Sequence, residues 1–457
     1  MGRESSREAP CSLALAPSRC LFVHSAGRLV AGRLTYTRRV REILFVFPTL
    51  WDRSQLEACR LRWQERFRVR LTEPASEEVP YDFDVLGFLE HVDERWGPFD
   101  GVTSSSDYPG ATVAAAIASR LDLPGARPDA VLRCSHKHAS RLLQAVHVPE
   151  AVPAVTLVDS THPAAVAGEI RYPVFVKPVK GAFSVLSRRI DGPDELIEFL
   201  SRGAVTEFTG DYMRVFDRLI ERFTDLEVGG RFFLAEELLH GRQVTVEGFC
   251  RLGEVELLGI VDSLMAGPSF VGFVYPSEIP KEVQGRMAEI ARRLMKASGL
   301  DQSLFNVEMI WDPDSGRLAV IEVNPRMCGQ FADLYEKVDG TNGYEVALAL
   351  AAGERPRLRR RAGRHAVAAS WPLRTFEPAR VTRAPGPEEL EAVVAAYPDA
   401  LVWSECEPGW VLGDFDRFED GFSCRYGVVN VGASDREGLA RCRDEIVARL
   451  GFELEPL

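Results

Sequence analysis

The chain has 457 residues, 46% of them hydrophobic and 27% charged, a composition that suits a soluble globular protein of two to four domains. Its net charge of −12 and pI near 5.4 argue against a nucleic-acid surface, which needs clustered Lys and Arg. No apolar run approaches the roughly 18 to 20 residues of a membrane helix, and the nine scattered cysteines, without a C-x-x-C pair, suggest reduced thiols in a cytoplasm rather than a disulfide framework or a zinc site.

Residues 1–40 are Arg-rich, carry acids only at Glu4 and Glu8 and show no sustained period. A disordered tail is expected there, with a targeting segment as the other reading of such a start. From "REILFVFPTLWD" onward, short β-rich runs alternate with helical segments. Strands are expected at Ile43 to Phe47 and Phe67 to Leu71, helices at Ser54 to Phe67 and Phe83 to Trp96. "FDGVTSSSDYPGATVAAAIASRLDLPG" then gives a strand, a Ser-rich turn and a helix from Pro109 to Gly125. Such alternation describes a parallel α/β layer, placed at residues 41–134.

A second region, 135–355, starts with a helix over 136–145 in "CSHKHASRLLQAVHVP". "RYPVFVKPVKGAFSVLSRRI" reads as strand, Gly-containing turn and strand, followed by a helix near 192–202, a less regular segment to Gly230, and a strand in "RFFLAEELLHG". Two hairpins follow, "RQVTVEGFCRLGEVELLGIVDSL" and "LFNVEMIWDPDSGRLAVIEVNPR", the second turned at "DPDSG", with a helix over 280–298 between them. A helix near 343–352 and the basic connector "GERPRLRRRAGR" lead to residues 356–457, an expected small α+β domain with helices at 387–396 and 435–450.

The second hairpin carries the most unusual chemistry. In "AVIEVNPRMCGQ", Glu322, Asn324 and Arg326 stand at alternate positions, and residues two apart in a strand share a face. The antiparallel hairpin sets Glu308 roughly opposite Glu322. Adjacent carboxylates repel and raise each other's pKa unless a hard cation such as magnesium lies between them; two glutamates on a solvated face are the plainer alternative. Lys177 closes the apolar strand "YPVFVKP", where a lysine needs an anionic partner or must snorkel. The turn after it, with Gly181 and Ser184, offers backbone N–H groups to phosphate oxygens.

The ordered set "HKHASRLL", "VFVKP", "AEELLHGRQVTVEG", "FNVEM" and "IEVNPR" resembles the ATP-grasp ligases over about residues 41–355. The resemblance implies a pre-ATP-grasp α/β domain, a two-subdomain ATP-grasp fold and a small C-terminal α+β domain, with ATP and Mg2+ (or Mn2+) as cofactors. It implies that Lys137 and Lys177 contact ATP phosphates, and that Glu236 with the backbone of Glu237 and Leu239 holds adenine. By the same resemblance Glu308, Glu322 and Asn324 bind the metal, and Arg326 faces the transferred phosphoryl group or acyl phosphate. Gln243 stands where the family has a ribose-binding glutamate, and the phosphate loop "KPVKGAFSVL" is poor in glycine.

Within that superfamily the organisation looks most like the L-amino acid ligases. The activity so implied is a carboxylate–amine ligation through an acyl phosphate on small amino-acid-like substrates, without nucleic acid or membrane, in a chain that can form a homodimer. A biotin-carboxylase-like activity ranks second, because "MCGQFADLYEKVDGTNG" replaces the signature that follows N-P-R in those enzymes. A non-catalytic ATP-binding module is the third reading. Segment 203–230 and "MAGPSFVGFVYPSEIP", with Phe270, Phe273 and Tyr275, are candidate substrate walls against the alternative of ordinary packing.

Overall fold

The structure, a computed structural model, describes residues 39–181, 184–413 and 421–457, together with the strand pair Phe22–Val23 and Leu29–Val30. The expected tail therefore lies almost wholly outside the described residues.

The first layer is a parallel sheet in which Arg41–Phe45 is flanked by Phe67–Leu71 and Gly101–Thr103. Its middle strand is covered on both faces, with Ile43, Leu44 and Phe45 buried, as a parallel strand between helices must be. The first helix starts earlier than its apolar pattern suggests, at Leu50, because Thr49 and Asp52 form a reciprocal capping box; it breaks at Cys59. The helix after the Ser-rich turn spans Gly110–Arg120, and a further helix, Pro128–Ser135, opens on a proline at its first position.

The second sheet is antiparallel, in the order Val155–Asp159, Phe232–Glu237, Val174–Pro178, Arg188–Ile190. Residues 203–223, expected to be irregular, form helices Gly203–Glu207 and Arg214–Phe223 around a π-helical turn, Phe208–Tyr212. Val215, Phe216, Leu219 and Ile220 make one buried stripe packed with Val85, Leu89, Val113 and Ile117 of the first layer. This apolar stripe, at roughly 1.5–3 kcal/mol per buried side chain, ties the segment to the N-terminal layer.

The third sheet has eight strands: Leu318–Asn324, Ser303–Trp311, Arg242–Arg251, Glu254–Ala266, Ser269–Tyr275, Val367–Thr375, Cys424–Ala433 and Leu401–Ser404. It runs without a break past residue 356, so the C-terminal region continues the sheet of the preceding one. Ser269–Tyr275 is one of its strands rather than a loop. Phe273 and Tyr275 lie in the core, with the Tyr275 hydroxyl donating to Asp339 at 2.6 Å, and Phe270 packs against that core. The C-terminal helices span Pro387–Ala396 and Arg436–Leu450.

One face of the eight-stranded sheet is apolar: Val244, Val246, Phe305, Val307, Met309, Val320 and Val323 pack on Met287, Ile290 and Leu294 of helix Lys281–Ser298. The opposite face carries the polar residues of the candidate site.

Candidate active site

The hairpin register brings Glu308 opposite Glu322 and Asn306 opposite Asn324, and the neighbouring strand sets Thr245 opposite Glu308 and Glu247 opposite Asn306. A bulge between Glu308 and Met309 decides which side chains share a face. Were Ile321 paired regularly instead of bulged out, strict alternation would send Val320, Glu322 and Asn324 to one side. With the bulge, Val320 and Val323 both point into the core while Glu322 and Asn324 point away. The bulged Ile321 also turns its carbonyl to the site, where it accepts from Arg141 Nη2 at 2.6 Å and Lys177 Nζ at 3.1 Å.

Asn324 Nδ2 donates to Glu322 Oε1 at 3.0 Å and lies 3.5 Å from Glu308 Oε1. Gln243 Nε2 donates to Glu308 Oε2 at 2.9 Å, and Lys137 Nζ lies 3.1 Å from Glu322 Oε2. Burial first, then the charge of Glu322, pushes the Glu308 carboxyl well above the usual range. Burial acts the same way on Glu322, but Lys137 and Lys177 outweigh it and hold that carboxyl low. Two facing, partly buried carboxylates, one raised by burial and by the charge of the other, with the Asn324 amide beside them, form a set that could hold magnesium. Asn306 Oδ1, buried on the same face, accepts no hydrogen bond among the described residues.

Lysines and arginines come from three other elements. Lys137 begins helix Lys137–His147, capped by the His136 ring accepting from Ala139 N–H, and also donates to the Gly181 carbonyl at 3.2 Å. Lys177, on Val174–Pro178, lies 2.8 Å from Glu236 Oε2. Arg141, one turn after Lys137, grips the same carboxylate with Nε at 2.8 Å and Nη2 at 3.1 Å. Arg326 follows the bulged strand; its Nε lies 3.4 Å from Asp107 Oδ1, and Asp107 also accepts from Lys180.

The expected residues thus converge from both sheets, with differences in their contacts. Lys137, Lys177, Glu308, Glu322, Asn324 and Arg326 meet in one cluster. The Glu236 carboxylate is closed off by Arg141 and Lys177, so it serves the site as a buried counter-ion and not as an open acceptor for adenine. The Glu237 side chain pairs with Arg317 at 2.6 Å and its backbone N–H bonds the Ala154 carbonyl, while Leu239 lies just past the strand end. Gln243 turns toward Glu308. Gly181 and Ser184 stand in the turn after Lys177, Ser184 in the left-handed region with φ of 59°.

Four residues of the cluster are absent from the sequence reading. Arg141 is one helical turn from Lys137, a spacing that put it within reach. Lys180 is three residues from Lys177. Asp107 comes from the Ser-rich turn of the first layer, and nothing local marks it. Glu247 continues the Gln243, Thr245 alternation; its Oε1 accepts from Cys328 N–H at 2.6 Å, which fixes the turn that presents Arg326, and burial pushes its carboxyl up to about 7.

Residues 170–333 match the ATP-grasp domain family. Over 206 residues, 45% of this chain, the sequence is 28% identical to the carbamoyl phosphate synthase large chain of Methanothermobacter thermautotrophicus, and the match covers only 18% of that longer protein. The L-amino acid ligase from Bacillus licheniformis superposes with a TM-score of 0.67 over 91% of this chain and 99% of its own, at 18% identity. A biotin carboxylase from Campylobacter jejuni, solved as a β,γ-ATP complex, gives a TM-score of 0.59 over 92% and 93%, at 14% identity. Residues 170–333 thus match the ATP-grasp domain family, and the chain shares its fold with the ligase and the carboxylase.

Proposed function

We propose that this protein is an ATP- and magnesium-dependent carboxylate–amine ligase that joins amino-acid-like substrates through an acyl phosphate. The observation that carries the reading is the register of Glu308 against Glu322, with Asn324 beside them and Lys137 on the outer oxygen of Glu322. The fold of the L-amino acid ligase from Bacillus licheniformis supports the choice of branch.

In this reading Glu308, Glu322 and Asn324 hold the magnesium, which when bound supplies positive charge to the phosphate oxygens. Lys137 and Lys177 hold the phosphates of ATP, with the turn at Gly181 and Ser184 over them. Adenine lies against the backbone of Glu237 and Leu239, and the ribose near Gln243. Glu236 acts by fixing Lys177. The chain performs little covalent chemistry of its own: it aligns a substrate carboxylate with the γ-phosphate and neutralises the charge that develops. Arg326, a planar multi-donor cation, holds that carboxylate and then the acyl phosphate. Burial of these groups keeps water from the acyl phosphate until an amine attacks.

The charge balance suits this task. Lys137, Lys177, Lys180, Arg141 and Arg326 meet Glu236, Glu322 and Asp107, with Glu308 holding its proton, so the cleft is short of anions. The test is ADP release with a panel of amino acids, against bicarbonate plus biotin. Release with amino acids, lost in Glu322→Gln, supports the ligase. Release with biotin and bicarbonate alone would support the carboxylase reading, and ATP binding without release the non-catalytic one.

A further inference from the structure

Asp107 stands in the "SSSDYPG" turn between strand Gly101–Thr103 and helix Gly110–Arg120, in the first layer and outside the residues that match the ATP-grasp domain. The turn is held on both sides of it. Before it, Ser104 Oγ donates to the Val46 carbonyl at 2.7 Å, Ser105 Oγ donates to Asp52 Oδ2 at 2.5 Å, and Ser106 Oγ lies 2.7 Å from Ser76 Oγ. After it, the Tyr108 hydroxyl donates to the Tyr212 carbonyl at 2.7 Å and accepts from the Phe216 N–H at 3.0 Å. The place of the carboxylate is therefore fixed by the hydrogen bonds of its own turn and not by the cations it meets.

Those cations come from different sheets. Lys180 follows strand Val174–Pro178 of the four-stranded sheet, in the turn that the ligase reading lays over the phosphates, and donates to Asp107 Oδ2. Arg326 follows strand Leu318–Asn324 of the eight-stranded sheet, with its Nε 3.4 Å from Asp107 Oδ1. The two are held unequally. Lys180 is 3% exposed and directly bonded, whereas Arg326 makes no contact closer than 3.4 Å to an acceptor among the described residues, the other being the Met327 carbonyl. Arg326 is thus oriented by charge and keeps its donors for a ligand anion, while Lys180 is fixed. Burial works against the Asp107 charge, but Lys180 and then Arg326 outweigh it and bring the carboxyl to about 2, so the group between them is ionised at neutral pH.

We propose that Asp107 is a positioning residue, which from the first layer ties the phosphate turn to Arg326 and so sets the γ-phosphate against the donor carboxylate without touching either. Its effect on rate rests on the ligase reading; the tie between the two sheets does not. The first layer thereby gains a part in the reaction, through the alignment of two groups that it does not itself carry.

Asp107→Asn keeps an acceptor for Lys180 but removes the charge that steadies it and aims Arg326. Hydrogen exchange reads the tie: in the ligand-free variant, peptides covering Lys177–Gly181 are expected to exchange at least about fivefold faster, with those covering Val244–Phe249 unchanged. Steady-state ADP release reads the consequence. Lost alignment acts in the transition state, so kcat is expected to fall about tenfold or more. KM for the amino acid is not expected to rise, because taking an anion away from Arg326 does not weaken its hold on a carboxylate. A residue that only stabilised the fold would lower the thermal midpoint and leave kcat per folded molecule intact. Asp107→Glu, which keeps the charge but displaces it, is expected to fall between the two, at least about threefold below the unsubstituted chain, and it carries the test if the Asn variant does not fold. Unchanged exchange over Lys177–Gly181, or a kcat within about twofold of the unsubstituted chain, overturns the proposal. If the unsubstituted chain releases no ADP with any amino acid, the ligase reading fails and the rate effect with it, while the exchange at Lys177–Gly181 still decides whether Asp107 makes the tie.

Discussion

Replacing Glu236 by glutamine tests how the two sheets of the cleft are held in place. Glu236 is 3% exposed and is gripped by Arg141 and Lys177, themselves 2% and 5% exposed. Both cations also donate to the Ile321 carbonyl, so one carboxylate and one carbonyl bind two buried cations between the four-stranded and eight-stranded sheets. Burial, Arg141 and Lys137 favour the neutral form of Lys177, and Glu236 opposes them through its charge and its hydrogen bond. Without the carboxylate, two cations face each other out of water. Breaking a buried pair from one side costs about 3–5 kcal/mol. For a unit the size of residues 40–457 this is a fall in thermal midpoint of about 3–6 °C if the unit unfolds as one. Glutamine keeps one acceptor oxygen but turns an NH2 toward a donor, so the loss combines the charge with the hydrogen bonds made to the second oxygen. Scanning calorimetry reads it, and adding Lys177→Met to Glu236→Gln is expected to recover part of the loss, since one of the two uncompensated cations then leaves with the carboxylate. A midpoint within 1 °C of the unsubstituted chain, by contrast with the roughly 3 °C minimum expected, would refute the argument that Glu236 is the structural counter-ion of this cluster.

Three further outcomes follow from the same geometry. Magnesium bound at Glu308 and Glu322 must displace the proton that Glu308 holds, so magnesium affinity is expected to rise with pH by up to about tenfold per unit above the ordinary carboxylate range; calorimetric titration in buffers of different ionisation enthalpy reads the proton release, and a pH-independent affinity contradicts the site. Glu247, whose carboxyl moves from 4.5 in the unfolded chain to about 7 in the folded one, binds its proton more tightly when folded. Its contribution to stability is present below pH 4.5 and declines by about 3 kcal/mol in all as pH rises to 7, and Glu247→Gln is expected to flatten that part of a denaturation-against-pH curve. Deleting Ile321 removes the bulge yet leaves Val320 and Val323 alternating with Glu322 and Asn324, so both polar side chains keep the cleft face while the carbonyl shared by Arg141 and Lys177 is lost; magnesium binding in a calorimetric titration is expected to survive with a lowered thermal midpoint, and loss of binding in a chain that still folds would refute this account of the bulge.

Much of the fold was legible because it rests on local signals. The strand "VFVKP" and the hairpin turned at "DPDSG" are set by β-branched runs and turn residues, and they fall at Val174–Pro178 and around Asp312–Gly316. The amphipathic stripe of Arg214–Phe223 was equally present in the sequence, at Val215, Phe216, Leu219 and Ile220, and was hidden only by the short helical pieces before it. Helix Gly329–Asp339 is different: nearly every side is buried, including Asp333, Tyr335 and Lys337, so it has no clean polar face to betray its period. The strand Ser269–Tyr275 looked like a loop because Gly267 and Pro268 precede it and Gly272 interrupts it. Gly272 is needed there, since a Cβ would stand 2.7 Å from the Trp371 ring of the strand Val367–Thr375. Sequence separation explains the rest. Asp107 and Arg326 are brought together by the packing of the first layer on the ATP-grasp sheet, and no pattern within either segment encodes the other.

The bulge at Ile321 shows why part of the site was readable for an incomplete reason. Alternation of Glu322, Asn324 and Arg326 suggested a shared face, and two of the three do share it. Alternation carried back one step would also have put Val320 on that face, yet Val320 is buried in the opposite core with Val323. The sequence therefore contained a conflict: two valines three apart on the core side, and two polar residues two apart on the other. Only an inserted residue satisfies both, and its carbonyl, freed from the regular ladder, becomes the acceptor that Arg141 and Lys177 use. The same irregularity that faces Glu322 and Asn324 into the cleft thus also fixes the two cations that border it. A substitution that regularised the strand would be expected to cost both at once.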